Sequence, residues 1–222
     1  MNILVNTKKR YIILLLGLSI LLSSCLNDTI NTNNTKINIK DYVPKNNLVK
    51  VFNGGFEGYG KIYIVNKINE NMYQINQIDY GTGLVSIYEK TNDYIKLIYR
   101  SEVDSFDKNY LNKKLNKNDI VLQTPIKVGT NWKNEDNTKY EITGVDVDVN
   151  TPSGYYSTLE VTIRKNDIEI KKYYAKGIGL VKSISNGHVN EELVKIETLD
   201  SKVILNSIKE LNNLLVKYLG DI

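Results

Sequence analysis

Gly55-Phe56-Glu57-Gly58-Tyr59-Gly60-Lys61 has the glycine and lysine spacing of a loop that cradles phosphate with backbone N–H groups. Ile62, however, stands where a serine or threonine would hold magnesium, and Ile62-Tyr63-Ile64-Val65 reads as a strand, so no helix N-terminus would face the phosphates. These glycines are expected to serve a turn or a bulge. Asp146, Asp148 and Asn150 reproduce the first three ligand spacings of a calcium loop, but Thr151 replaces the turn glycine and Ser157 the bidentate acid. Carboxylates on the solvent face of a strand explain the pair without a metal. His188, the only histidine, follows Asn186-Gly187 and reads as an exposed turn residue rather than a general base. Neither a G-x-S-x-G nucleophile elbow nor an H-E-x-x-H zinc helix is present. What remains for hydrolysis is a carboxylate pair of the glycosidase type, with Glu57, Asp79, Glu191 and Glu192 as candidates. No residue is assigned a catalytic or metal-binding role, and no cofactor is called for.

The single cysteine, Cys25, carries a more specific signal. Residues 1–10 end in Lys8-Lys9-Arg10, and an apolar run over 11–22 follows, too short for the roughly 20 residues that span a bilayer as a helix. It ends at Leu22-Ser23-Ser24-Cys25, which resembles the lipobox of bacterial lipoproteins: an aliphatic residue, two small residues and the lipid-accepting cysteine. The resemblance implies a signal peptide over 1–24, cleavage between Ser24 and Cys25, and a diacylglyceryl thioether on Cys25. The membrane would then be a partner through that anchor, on the extracytoplasmic face. Those three cations also account for most of the basic balance. Without them the formal net charge falls from +4 to +1, which removes any electrostatic argument for nucleic acid.

These residues need elements to position them. The polar, Asn/Thr/Lys-rich stretch after the cysteine predicts a flexible tether over 25–47, and a single β-rich domain is expected over 48–222. Leu159, Val161 and Ile163 alternate with Glu160, Thr162 and Arg164, the pattern of a strand with one wet face. Tyr140 and Ile142 are out of phase with Val145, Val147 and Val149, so a bulge at Thr143-Gly144 is expected to restore one inward face. Turn signals at Glu70-Asn71, Gly81-Thr82-Gly83, Asn92-Asp93, Pro152-Ser153-Gly154, Asn166-Asp167 and Asn186-Gly187 predict consecutive hairpins. The expected fold is mainly β: an antiparallel meander of roughly nine to eleven strands, more than an open sheet carries flat, curled into a half-barrel or incomplete barrel. Residues 101–118 interrupt the rhythm as a long loop or a short helix. Ile204, Ile208, Leu211, Leu215 and Tyr218 fall at helical spacing, predicting a C-terminal amphipathic helix over about 201–219 that covers a sheet face or edge. Sixteen Tyr against three Phe is a bias that either coding composition or a tyrosine-lined groove explains.

Three stretches then form a combination: Pro125-Ile126-Lys127-Val128-Gly129-Thr130-Asn131-Trp132, Thr151-Pro152-Ser153-Gly154-Tyr155-Tyr156, and Tyr173-Tyr174-Ala175-Lys176-Gly177-Ile178-Gly179-Leu180-Val181. Together they resemble a group of uncharacterised extracytoplasmic proteins of Gram-positive bacteria, often lipoproteins. The motif residues read as structural. Gly129 permits a tight turn before Trp132 packs as a core anchor, Pro152 and Gly154 set a hairpin, and Gly177 and Gly179 link two strands sharply. The expectation is a lipid-anchored, non-enzymatic binding or accessory protein whose partner is an amphipathic ligand or an envelope protein. A wall hydrolase with paired carboxylates and an assembly module of the envelope are the alternatives.

Overall fold

The computed structural model describes residues 37–54, 60–79, 82–103, 106, 108–198, 210 and 213. Twelve strands form a single antiparallel sheet. They are β1 (Leu48–Gly54), β2 (Lys61–Ile68), β3 (Met72–Asp79), β4 (Thr82–Lys90), β5 (Tyr94–Val103) and β6 (Asp119–Gln123), then β7 (Asn131–Lys133), β8 (Lys139–Thr151), β9 (Gly154–Lys165), β10 (Ile168–Ala175), β11 (Gly179–Ser185) and β12 (His188–Thr198). Each strand pairs with its neighbour in the chain except at β6/β7, and the first strand pairs with the last. The meander therefore curls into a barrel with one seam. Twelve strands exceed the nine to eleven expected; the three-residue β7 is too short for alternation to reveal it.

The seam is bridged by side chains. Asn134, just beyond β7, presents its amide to β6 as a peptide group would: Oδ1 accepts from the Ile120 N–H at 3.1 Å, and Nδ2 donates to the Ile120 carbonyl at 3.2 Å. The Trp132 indole N–H donates to the same carbonyl at 3.0 Å, and the ring stacks on Tyr140 with centroids 5.3 Å apart. These bonds satisfy backbone groups that a bare edge would leave open to another chain.

Hairpin chemistry places the strands. Asn166, Asn186 and Gly187 have left-handed backbones at φ +52°, +46° and +84°, the conformation that tight hairpin turns require. The irregularity expected at Thr143-Gly144 is a double register break on β8, between Ile142 and Gly144 and between Gly144 and Val147. Before it, Ile142 packs with Trp132, Leu159 and Val161; after it, Val147 and Val149 pack with Tyr173, Val181 and Leu193.

Strands β1, β3 and β4 and the first half of β5 carry buried residues on both faces. Val49, Val51, Ile62, Ile64, Ile78, Val85 and Ile87 face one side, covered by Phe106 and Tyr110 from the β5–β6 connection. That connection, left open between loop and short helix, carries no helix among its described residues. The alternate residues Lys50, Phe52, Lys61, Tyr63, Tyr73, Ile75, Gln77, Ser86 and Tyr88 face inward.

The tether boundary needs correction. A 3-10 turn over Ile39–Tyr42 belongs to the folded unit, with Ile39 and Tyr42 buried beside Ile95 and Leu122, because these side chains fill one end of the barrel. The folded unit therefore extends ahead of residue 48 and includes the described residues from 37 onward. The expected signal peptide, Cys25 and the expected tether ahead of residue 37 lie outside the described residues, as does the C-terminal helix expected over 201–219 apart from Glu210 and Asn213, both exposed.

Candidate functional site

The inward faces of β1–β5 and β10–β12 enclose a cavity of about 280 Å³. Its two ends differ in chemistry, and the strand register shows why. On β3, Tyr73, Ile75 and Gln77 point inward in succession; Tyr73 lies opposite Tyr88 and stacks on it at 5.0 Å, whereas Gln77 lies opposite Tyr63. Moving from Tyr73 toward Gln77 thus runs from an apolar end to a polar one.

The apolar end is closed by the N-terminal segment. Tyr42 and Pro44 line it with Ile95, Leu122 and Gly179. The segment is held by backbone bonds to the β10–β11 turn: the Gly177 N–H donates to the Asp41 carbonyl at 2.7 Å, and the Lys45 N–H donates to the Gly177 carbonyl at 2.9 Å. Gly177 and Gly179 adopt φ +72° and +74°, and a Cβ on Gly179 would lie 3.3 Å from the Pro44 ring. Both glycines therefore shape a seat for this plug.

The polar end gathers charge. Glu191 on β12 accepts from the Lys61 ammonium at 3.3 Å and the Tyr63 hydroxyl at 3.1 Å, with only 6% of its side chain exposed. Arg100 donates to the Gln77 side-chain oxygen at 3.3 Å and is exposed, which marks where this end meets solvent. Lys172 reaches the same region from β10: its register partner Ser183 on β11 is also the partner of Glu191. Burial lowers the Lys172 pKa against the pull of Glu191, and the Arg100 and Lys61 charges lower it further.

Lys50 lies between the two ends and is 3% exposed. Its ammonium donates to the carbonyls of Ile178 and Leu180 at 3.0 and 2.9 Å and lies 5.4 Å from the Phe52 ring centroid. Burial pushes its pKa down to about 7, opposed by Glu191. Burial likewise pushes the hydroxyls of Tyr63, Tyr73, Tyr88 and Tyr174 upward, so these groups stay protonated donors at neutral pH.

The candidates from the sequence disperse. Residues 55–59 of the glycine loop lie outside the described residues, but Lys61 opens β2 and its ammonium pairs with a carboxylate. Asp146, Asp148 and Asn150 are exposed at alternate positions of β8, and no cluster of three metal-binding side chains occurs among the described residues. His188 is exposed at the start of β12. Glu191 and Glu192 are adjacent on one strand and face opposite sides, Glu192 pairing with Lys182 at 2.9 Å. Asp79 ends β3 and does not line the cavity, and Glu57 is not described. Glu191 is thus the single carboxylate among the described lining residues, so a two-carboxylate mechanism finds no second acid there.

The motif glycines Gly129 and Gly154 have φ +88° and +137°, and Gly154 follows Pro152-Ser153 at the tip of the β8–β9 hairpin. The third motif does more than turn the chain: Tyr174, Gly179 and Leu180 line the cavity, and two of its carbonyls hold Lys50. Sequence reasoning missed Lys50, Arg100 and Lys172. The signal that pointed here was the tyrosine bias, since Tyr42, Tyr63, Tyr73, Tyr88 and Tyr174 all line the cavity.

No protein-family model matches the chain, and no curated protein matches it. Among solved structures, a protein from Bacteroides fragilis described as exported and of YmcC-like fold aligns at 13% identity and TM-score 0.41, over 70% of this chain and 98% of that one. PNGF-II aligns at 13% identity and TM-score 0.33, over 69% of this chain and 28% of that one.

Proposed function

We propose that this chain is a lipid-anchored, extracytoplasmic binding protein that holds an amphipathic ligand inside its barrel. The observation that carries the binding reading is the cavity: about 280 Å³, closed at an apolar end by Tyr42 and Pro44 and lined along its length by tyrosines and cations. A barrel built only as a scaffold would fill that space with its own side chains at the density of other protein interiors. Tyrosines suit the role because each offers an apolar ring and a hydroxyl donor on a side chain with little conformational freedom to lose.

The anchoring reading rests on the succession of basic, apolar and Leu-Ser-Ser-Cys segments in the sequence ahead of the domain. Two acyl chains on Cys25 would hold the barrel at the membrane stably, where one would be marginal. The two parts are tested separately. The Cys25→Ala chain is expected to lose acyl labelling and leave the membrane fraction; membrane attachment that persists without label overturns the anchor. Native mass spectrometry of residues 26–222, purified gently from the envelope side of the host, is expected to show an extra mass at one copy per chain. A mass equal to the polypeptide alone, in a protein that also takes up none of the amphiphiles described below, overturns the binding reading.

A further inference from the structure

The cavity's charge is unbalanced. Lys61, Arg100 and Lys172 converge on its polar end with Glu191 as the only acid among the described lining residues. Glu191 is already engaged by Lys61 and Tyr63. Among the described residues, the Lys172 ammonium forms no hydrogen bond or salt bridge and feels Glu191 only at longer range, and the Arg100 guanidinium has the neutral Gln77 oxygen as its hydrogen-bond partner. A barrel that gathers cations at the mouth of an apolar chamber stabilises an anion there, because partly desolvated charge-assisted hydrogen bonds are about twice as strong as neutral ones. The opposite end, between Ile95, Leu122 and Tyr42, has no charged lining residue.

We infer that the ligand is an anionic amphiphile, its carboxylate or phosphate head held by Arg100, Lys172 and Lys61 at the mouth and its apolar body lying along Ile75 and Tyr73 toward Ile95 and Leu122. This rests on the binding reading above and specifies its chemistry. Size sets a limit on the body: a cavity of about 150 Å³ takes benzene, so about 280 Å³ accommodates roughly a dozen non-hydrogen atoms, the size of a ten-carbon fatty acid. A full-length phospholipid does not fit in that volume.

The test is calorimetric titration of residues 26–222, which retain every described residue, with four probes: decanoate, octyl phosphate, decanol and decylammonium. Decanoate or octyl phosphate is expected to bind at one per chain, at least tenfold more tightly than decanol and with no measurable binding of decylammonium. The preferred anion separates the carboxylate from the phosphate source. Lys172→Met and Arg100→Met are each expected to weaken the bound anion at least tenfold while leaving decanol unchanged, and Lys172→Arg to restore most of the loss. A thermal melt of each variant confirms that it folds, and Lys182→Met, at a cation outside the cavity, serves as the control for bulk charge. Equal affinity for decanol and the two anions, or anion binding indifferent to Arg100 and Lys172, overturns the anionic head while leaving the binding reading intact. No uptake of any of the four probes overturns the anionic amphiphile, and together with a native mass equal to the polypeptide alone it overturns the binding reading as well.

Discussion

At the scale of single residues, the cavity's buried charges make stability depend on pH in a way that can be worked out. The folded Lys50 has a pKa of about 7, below its ordinary 10.5, because burial disfavours the ammonium. Between those values the unfolded chain binds a proton that the folded chain does not, so stability rises with pH through the window, by at most about 1.4 kcal/mol per unit for this group. Lys172, lowered in the same direction, adds to the rise. The buried tyrosines act oppositely: their folded pKa values exceed 10, so above pH 10 the unfolded chain loses protons first and stability falls. Denaturant midpoints measured from pH 6 to 11 are expected to peak near pH 10. Lys50→Met should flatten the rise and keep the fall; an unchanged rise would assign the effect elsewhere. Removing Glu191 acts differently, because Glu191→Leu leaves Lys61 and the Tyr63 hydroxyl facing an apolar group. A loss of about 3 kcal/mol is expected from breaking a buried pair on one side, and it should shrink in the Glu191→Leu, Lys61→Met double variant. None of this was legible from the residues alone. Lys50 shares its face of Leu48-Val49-Lys50-Val51-Phe52 with Leu48 and Phe52, and a single lysine among apolar residues reads as a side chain whose charged end reaches solvent. Period-two patterning identifies which residues share a face but carries no information on whether that face is wet or curled around a chamber.

At the scale of elements, the seam is where the barrel's closure is concentrated. The β6 and β7 edges exchange no ladder hydrogen bonds in the register, and three side-chain bonds converge instead on the peptide groups of Ile120. Asn134→Ala removes two of them and leaves the part-buried Ile120 N–H without its partner, at a cost of about 1–3 kcal/mol, while the carbonyl keeps the Trp132 indole. The Ile120 amide should then exchange its hydrogen faster than amides of β9 or β10, and the chain should gain a tendency to self-associate through the opened edge. A stability loss with Ile120 exchange unchanged would place the role of Asn134 elsewhere. Hairpins were the most legible elements, because Asn186-Gly187 and Asn166-Asp167 encode left-handed turns in local chemistry. The seam was not, since its bonds run from side chains to the Ile120 peptide groups, and such pairing leaves no period in the sequence. Trp132 shows both sides of this. Its type marked it as a core anchor, yet the indole N–H does its work at the seam, a role that only the closed sheet defines.

At the scale of the whole molecule, the boundary between tether and domain determines whether the barrel is a chamber or a channel. Composition favours disorder up to residue 47, because Asn, Thr and Lys dominate and apolar residues are sparse. Sparse is nevertheless sufficient here: Ile39 and Tyr42 are almost wholly buried, and Val43 is buried with them. At about 1.5–3 kcal/mol for each large apolar side chain removed from water, these three contribute an amount comparable with the net stability of an ordinary domain. A chain beginning at residue 37 is therefore expected to match the denaturant midpoint of residues 26–222. A chain beginning at residue 46 is expected to lose several kcal/mol and to bind a hydrophobic dye at the end that Tyr42 and Pro44 had closed. The comparison also separates two functions of the segment, since Ile39→Ala leaves Tyr42 and Pro44 as lining residues. That variant should lose about 2–4 kcal/mol, the usual cost of emptying a buried isoleucine site, while keeping its affinity for an amphiphile. Tyr42→Ala opens the chamber's floor itself, so it should weaken ligand binding as well as folding. If the two substitutions change binding equally, the plug serves stability alone and the cavity is closed by other groups.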